Sequence, residues 1–181
     1  MLSAKCEIPG VIFIEPQIFG DSRGWFVELW NKEKYEQAGI KENFVQDNIS
    51  YSKYGVLRGL HYQKPHTQGK LVFVLQGEVW DVVVDLRKGS PTFKKWEAFK
   101  LTGESKEQLY IPEGLAHGFC VLSDEVVFQY KCTDKYSPAD EHGIRWDDPD
   151  INIPWPVFAP LVSDKDKNLP LFRDIENDDL F

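Results

Sequence analysis

The feature that most restricts how this chain can fold is a series of short β-rich segments separated by glycine, proline and charged residues. The clearest pair is KLVFVLQ (70–76) and EVWDVVVDLR (78–87), with Gly77 between them. Further segments of this kind are residues 11–16, 24–30, 44–52, 55–63, 94–101, 108–112, 116–122 and 125–133. Short strands at this spacing predict a β-sandwich or barrel rather than a parallel sheet built from βαβ units.

The remaining sequence adds little regular structure. Residues 31–39 predict one short helix that ends at Gly39. The tail from Ser137 is rich in proline, aspartate and tryptophan, and it predicts loops with a turn or two of helix near the end. We find no repeat, low-complexity tract or linker, and we therefore expect residues 1–181 to form one domain.

Lys70 is out of place in its predicted strand. Alternation puts it on the same face as Val72 and Val74, and both faces of segments 70–76 and 78–87 are largely apolar. Such strands are expected to be covered on both sides, so a lysine that points inward needs a partner or a ligand. The alternative is a lysine at a strand end that extends to solvent.

Arg58 and His61 raise a related question about segment 55–63. They are three positions apart, so strict alternation would place them on opposite faces. Gly59 lies between them, and a glycine inside a strand often marks a β-bulge. We predict a bulge that brings both side chains to one side. The alternative is that Arg58 faces inward while His61 lies in an outer aromatic layer.

Charge and cysteine usage limit the partners and the compartment. The net charge of −8 argues against a general nucleic-acid or membrane-surface binder, although a pocket can still be locally basic. The three cysteines form no CxxC and predict no disulfide framework. The amino terminus lacks a signal-peptide pattern and no apolar run reaches membrane-spanning length, so we expect a cytoplasmic protein.

A metal site is not expected. Metal sites in small β-barrels usually have two histidines separated by one residue, followed by a glutamate and a distant histidine. Here Gln63 stands two residues after His61, and the surroundings of His117 supply no cluster of ligands.

A metal-free barrel with these side chains can perform proton transfer at carbon. His61 can remove a proton if Lys70 or Arg58 holds the oxygen of the resulting enolate. Tyr130, which shares a strand face with Phe128 and Cys132, can return a proton from the other side. That set fits epimerisation next to a ketone, although a tyrosine in a strand is more often a packing residue.

Several motifs together resemble the dTDP-4-dehydrorhamnose 3,5-epimerase family. They occur in the order DSRGWFVELWN, FVQDNISYSKYGVLRGLHYQ, QGKLVFVLQGEVWDVVVDLRKGSPTF, QLYIPEGLAHGFCVLSD, YKCTDKYSP, IRWDDPDINIPWP and LVSDKDKNLP, from about Asp21 to Pro170. The resemblance implies a mostly β, cupin-type jelly roll (a double-stranded β-helix) with short helices at the periphery and the carboxyl terminus.

The resemblance also implies roles for four catalytic residues. His61 matches the base, and Asp166 matches the carboxylate that orients it, with Asp164 close enough in sequence to be a rival. Tyr130 matches the general acid, and Lys70 matches the residue that stabilises the enolate at C4.

The same resemblance implies a substrate site shared between two subunits. In the family the segment DSRGWF comes from the neighbouring subunit through exchange of amino-terminal strands, which implies a homodimer. The implied substrate-binding residues are Arg23, Phe26, Glu28, Gln46, Asn48, Arg58, His117 and Tyr136.

The expected activity is conversion of dTDP-4-dehydro-6-deoxy-D-glucose to dTDP-4-dehydro-L-rhamnose by inversion at C3 and C5, without a cofactor. The first alternative is a mono-epimerase that inverts only C3 or C5, or a keto-isomerase acting on a related dTDP-sugar. The others are a cupin metalloenzyme and a non-catalytic cupin that binds sugar nucleotides.

Overall fold

The computed structural model describes residues 2–181, and most of its regular structure is β-strand. The strands are β1 (Leu2–Lys5), β2 (Ile12–Glu15), β3 (Ile18–Asp21), β4 (Gly24–Val27), β5 (Gln46–Lys53), β6 (Val56–Gln63), β7 (Lys70–Gln76), β8 (Glu78–Asp85), β9 (Trp96–Thr102), β10 (Gln108–Ile111), β11 (Leu115–Val121), β12 (Glu125–Cys132), β13 (Glu141–Gly143) and β14 (Leu161–Val162). The helices are α1 (Lys32–Gln37), α2 (Asp164–Lys167) and two 3₁₀ turns at Phe172–Asp174 and Asn177–Asp179.

The strands form two large sheets and a separate hairpin. The first sheet has the order β1-β2-β10-β7-β12-β5, and the second has the order β13-β6-β11-β8-β9 with β14 beside β6. Within residues 2–181, strands β3 and β4 pair only with each other. One apolar cluster joins the inner faces of both large sheets, because it contains Val72 and Phe128 of the first sheet together with Val83 and Phe119 of the second.

Both faces of the central strands are covered, as their apolar composition predicts. On the outer face of the second sheet, Val82 and Val84 pack with Phe172 and Leu180 of the tail. On the outer face of the first sheet, Leu71 packs with helix α1 and its surroundings. The predicted mostly β, cupin-type jelly roll with short peripheral helices is confirmed.

Capping residues explain the bounds of helix α1, and short length explains why two strands of the tail were not predicted. Asn31 caps α1 by accepting a hydrogen bond from the Lys34 amide, and Gly39, with a φ of 105°, follows the helix end. The tail contains the predicted turns of helix, but it also contributes β13 and β14. These strands have three and two residues, too few to leave an alternating pattern.

The predicted bulge in β6 is present. His61 pairs with His117 and Arg58 pairs with Phe119, so three steps along β6 match two steps along β11. The extra residue puts Arg58 and His61 on the same side of the sheet. Gly59 has a φ of 115°, and a Cβ there would lie 2.6 Å from the Cα of Gly118, so this close crossing requires glycine.

None of the helices in residues 2–181 combines the length and the apolar composition that a membrane span requires.

Candidate active site

A cavity of about 570 Å³ opens between the two sheets, within the range that small-molecule sites occupy. Both sheets contribute side chains to it, together with the start of α2. Nine of the residues that the sequence predicted for the site line this cavity: Gln46, Asn48, Arg58, His61, Lys70, His117, Tyr130, Tyr136 and Asp166.

His61 and Asp166 form a close pair at one wall. The Nε2 of His61 lies 2.7 Å from Oδ1 of Asp166, and the other carboxylate oxygen accepts a hydrogen bond from the Gly59 amide at 3.2 Å. Burial raises the pKa of Asp166, but the hydrogen bonds from His61 and Gly59 outweigh it and lower that pKa overall. The ionised carboxylate fixes a proton on one ring nitrogen of His61 and leaves the other nitrogen as an acceptor.

The local sequence around α2 explains why Asp166, rather than Asp164, reaches the histidine. Ser163 caps the helix by accepting a hydrogen bond from the Asp166 amide at 3.1 Å. The first turn then directs Asp166 inward, where it is 4% exposed. The side chain of Asp164 is 94% exposed and accepts a hydrogen bond from Lys167 instead.

Lys70 and Tyr130 lie on the opposite wall, which the first sheet provides. Lys70 pairs with Cys132 across β7 and β12, and its Nζ has no hydrogen-bond partner among residues 2–181. Burial lowers the pKa of Lys70, while the nearby acidic groups oppose the shift. Burial also raises the pKa of Tyr130, so its hydroxyl keeps its proton at neutral pH.

A second histidine–aspartate pair lies beside the cavity, which His117 lines. Asp81 is fully buried, and its Oδ2 lies 2.8 Å from Nε2 of His117. Burial raises the pKa of Asp81, and the charges of His117 and Lys70 oppose that rise. The sequence analysis did not select Asp81 for the site, although alternation from Val83 places it on the inward face of β8.

At the mouth of the cavity, Glu141 joins two further side chains. Its Oε2 accepts hydrogen bonds from the Tyr136 hydroxyl and from Lys165 Nζ, both at 2.5 Å. Burial raises the pKa of Glu141, but these two hydrogen bonds outweigh it and lower the pKa overall. Sequence reasoning missed Glu141 and Lys165, because no periodic pattern places a three-residue strand and a four-residue helix beside the cavity.

Hydrogen bonds within the chain already orient several of the polar side chains predicted to bind substrate. The amide of Gln46 donates to Asn48 Oδ1 at 3.0 Å. Arg58 donates through Nε to the hydroxyl of Ser52 at 3.1 Å and through Nη2 to the carbonyl of Tyr51 at 3.4 Å, and its side chain lines the cavity. The cavity lining contains three cationic side chains, Arg58, Lys70 and Lys165, against two carboxylates, Glu141 and Asp166, so this acidic protein has a pocket that is not acidic.

Three predicted residues do not join this cavity in their own chain. Arg23 sits at the tip of the β3–β4 hairpin and makes a hydrogen bond of 2.6 Å with Asp21. Phe26 is 66% exposed, and Glu28 accepts a hydrogen bond from Lys34 at 2.6 Å.

In the part of the chain that the structure describes, no three histidine, cysteine, aspartate or glutamate side chains are grouped to hold a metal ion.

This chain is similar in sequence to one family of known proteins. The family model described as dTDP-4-dehydrorhamnose 3,5-epimerase matches residues 5–174. The dTDP-4-dehydrorhamnose 3,5-epimerase of Shigella flexneri is 58% identical over 174 residues, which cover 95% of this chain and 96% of that protein. The enzyme of the same name from Pseudomonas aeruginosa is 51% identical over 178 residues, covering 97% of this chain and 98% of the relative.

Solved structures of related proteins superpose closely on this chain. A dTDP-6-deoxy-D-glucose-3,5-epimerase from Legionella pneumophila, in complex with dTDP-4-keto-L-rhamnose, superposes with a TM-score of 0.95 at 49% identity and covers 99% of this chain and 96% of its own. A 3′-monoepimerase from Streptomyces bikiniensis, in complex with dTDP-quinovose, superposes with a TM-score of 0.86 at 38% identity, covering 92% and 85%. This chain belongs to the dTDP-4-dehydrorhamnose 3,5-epimerase family.

Proposed function

We propose that this protein inverts C3 and C5 of dTDP-4-dehydro-6-deoxy-D-glucose to give dTDP-4-dehydro-L-rhamnose. One observation carries the proposal. The His61–Asp166 pair comes from the second sheet and α2, whereas Tyr130 and Lys70 come from the first sheet, on the other side of the same cavity. A sugar ring bound between the sheets then has a base toward one face and an acid toward the other.

The first step is removal of a proton from carbon. His61 takes the proton at C3 or C5, and the electron pair of the C–H bond moves into the ring to form an enolate with its charge on the C4 oxygen. Lys70 holds that oxygen, since a cation without an internal partner in a buried site stabilises a developing negative charge strongly. Asp166 stabilises the imidazolium that His61 becomes.

The second step is reprotonation from the opposite face. Tyr130 donates its hydroxyl proton to the same carbon, the C4 ketone reforms, and the configuration is inverted. His61 then releases its proton to water and Tyr130 regains one, which resets the site for the other carbon. No atom changes oxidation state overall, so the reaction requires no hydride carrier.

The nucleotide end of the substrate fits the mouth of the cavity. Arg58 and Tyr136 face the space where a diphosphate would lie, and Gln46 and Asn48 supply amides beside it. Guanidinium groups suit phosphate oxygens because of their bidentate geometry. The dTDP-sugars bound in related structures support this assignment.

A mono-epimerase is the second candidate, and the likeness to a 3′-monoepimerase is the observation that favours it. The deciding experiment is incubation with dTDP-4-dehydro-6-deoxy-D-glucose in D₂O containing a chelator, followed by NMR at C3 and C5. Deuterium at both carbons with inverted configuration is the expected result. Label at a single carbon would identify a mono-epimerase, and absence of label would refute catalysis and favour a binding protein. Loss of turnover in chelator alone would point to a metalloenzyme.

We further propose a homodimer in which each β3–β4 hairpin completes the partner's site. Three large apolar side chains of the hairpin are unusually exposed: Phe19 at 53%, Trp25 at 61% and Phe26 at 66%. Such a patch on a short hairpin is typical of an interaction surface. The hairpin also carries Arg23, whose guanidinium can bind a phosphate oxygen once its hydrogen bonds to Asp21 are broken.

Subunit mixing tests the shared site. Arg23→Ala and His61→Ala homodimers are each expected to be nearly inactive at low substrate concentration. An equimolar mixture of the two variants should recover about a quarter of wild-type activity, because half of the dimers are mixed and each of these has one site with both residues intact. The control is a mixture of His61→Ala and Tyr130→Phe subunits, in which the two lesions affect one chain's own cavity. Recovery in that control, or none in the test mixture, would contradict the shared site.

A further inference from the structure

Residues 134–137, here called the rim segment, are held by an unusual set of side chains. Each of these four residues has a backbone group that is hydrogen-bonded to the side chain of a glutamine. Gln68 donates to the carbonyl of Asp134 at 2.8 Å, and Gln63 donates to the carbonyl of Lys135 at 3.2 Å. The amide of Tyr136 donates to Gln46 at 2.8 Å, and that of Ser137 donates to Gln63 at 3.0 Å.

Gln63 is the centre of this arrangement. It is 4% exposed, and its second amide hydrogen goes to the carbonyl of His66 at 2.8 Å. Both donors and the acceptor of its amide are therefore used on backbone groups, which leaves little capacity for a ligand. A side chain that is saturated by the backbone of two loops fixes those loops relative to β6, the strand that carries His61.

The rim segment carries one residue that faces the cavity. Tyr136 lines the mouth, and its hydroxyl donates to Glu141, which also accepts from Lys165. The segment has no regular secondary structure of its own, so its position depends on these side-chain bonds.

We propose that Gln63 is a positioning residue that sets the place of the rim segment and thereby of Tyr136. The inference rests on the proposed function, because Tyr136 is assigned there to the diphosphate. Gln63 lines the cavity, but its amide is occupied by backbone groups and therefore does not act on the sugar ring. Its loss affects the binding of the nucleotide more than the proton transfers at C3 and C5.

The test compares Gln63→Met with the wild type at a temperature where both are folded. The dissociation constant for dTDP and the KM should rise about tenfold, because three hydrogen bonds to the two loops are lost, while kcat changes less than about threefold. Gln68→Met, which loses a single bond to the segment, should shift both constants in the same direction by less. If Gln63→Met does not fold, the same shift in Gln68→Met provides the test.

The matched control is Ser123→Ala. Ser123 also bridges two backbone groups, accepting from Glu78 at 2.8 Å and donating to Glu125 at 2.6 Å, but it lies at the other end of β7 and β12. It should lower thermal stability and leave dTDP affinity unchanged. An equal loss of affinity in this control would show that general destabilisation, not positioning, is responsible.

Two further measurements separate this inference from the proposed function. In a double-mutant cycle, Gln63→Met should have little effect on dTDP affinity in a Tyr136→Ala background, because the residue that it positions is gone. Independently of any ligand, the amide protons of Tyr136 and Ser137 should exchange with solvent faster in Gln63→Met. Unchanged exchange would overturn the positioning role, whereas a wild type that neither binds dTDP nor epimerises the sugar would overturn only the proposed function.

Discussion

Replacing His61 with alanine is expected to reduce turnover at least about a thousandfold while dTDP affinity and the fold stay close to wild type. In the proposed mechanism the imidazole of His61 removes the proton, and Asp166 orients that imidazole through the contact at 2.7 Å. Steady-state kinetics and deuterium exchange at C3 and C5 should fall together, since neither carbon can lose its proton. Thermal unfolding verifies that the fold survives.

His66→Ala is the matched control for this experiment. Its Nδ1 lies 2.6 Å from Asp140, so it is also a histidine paired with an aspartate, but its side chain is 67% exposed and lies outside the cavity. Turnover of this variant should stay within about twofold of wild type. Near-normal activity of His61→Ala would show that His61 is not the base.

Substituting Tyr130 with phenylalanine should separate the two halves of the reaction. His61 still removes protons and returns deuterons from D₂O on the same face, so substrate should acquire label with its configuration retained. Formation of inverted product should fall about a hundredfold, because the acid on the opposite face is missing. NMR of the recovered sugar distinguishes labelled substrate from labelled product.

Tyr54→Phe is the control, since Tyr54 is 56% exposed and does not line the cavity. It should leave both labelling and inversion unchanged. An equal loss of labelling and inversion in Tyr130→Phe would mean that the tyrosine supports substrate binding or packing rather than proton donation.

The fold was largely predictable because its signals are local. Alternation in 70–76 and 78–87 reports which side chain faces which side of a sheet, and the structure confirms both apolar faces. Gly59 predicted the bulge because a strand rarely contains a glycine without a close approach, and here Gly118 lies against it. The bulge placed Arg58 and His61 on one side before any contact was known.

Residues that reach the site from short or distant segments were not predictable in this way. Glu141 and Lys165 come from elements of three and four residues, which carry no periodic signal. Asp81 looked like one polar position in an alternating strand until His117 was found 2.8 Å away, because a contact between β8 and β11 is a property of sheet order. Gln63 looked like a broken metal motif, whereas its side chain serves the rim segment.

The sequence alone therefore predicted short strands arranged as a sandwich or barrel and a bulge at Gly59, because each depends on neighbours within a few residues. Its motifs also determined the family. The sequence left open whether Lys70 points inward or extends to solvent, and the structure places Lys70 in the wall of the cavity. Only the tertiary structure decided that Asp166, and not Asp164, meets His61, and that His61 and Tyr130 lie on facing sheets. These are relations between segments more than 60 residues apart in the chain, as the separation of 105 residues between His61 and Asp166 illustrates. The spatial proximity of segments so far apart in the chain is set by how the two sheets pack on each other, and no local sequence pattern encodes that packing.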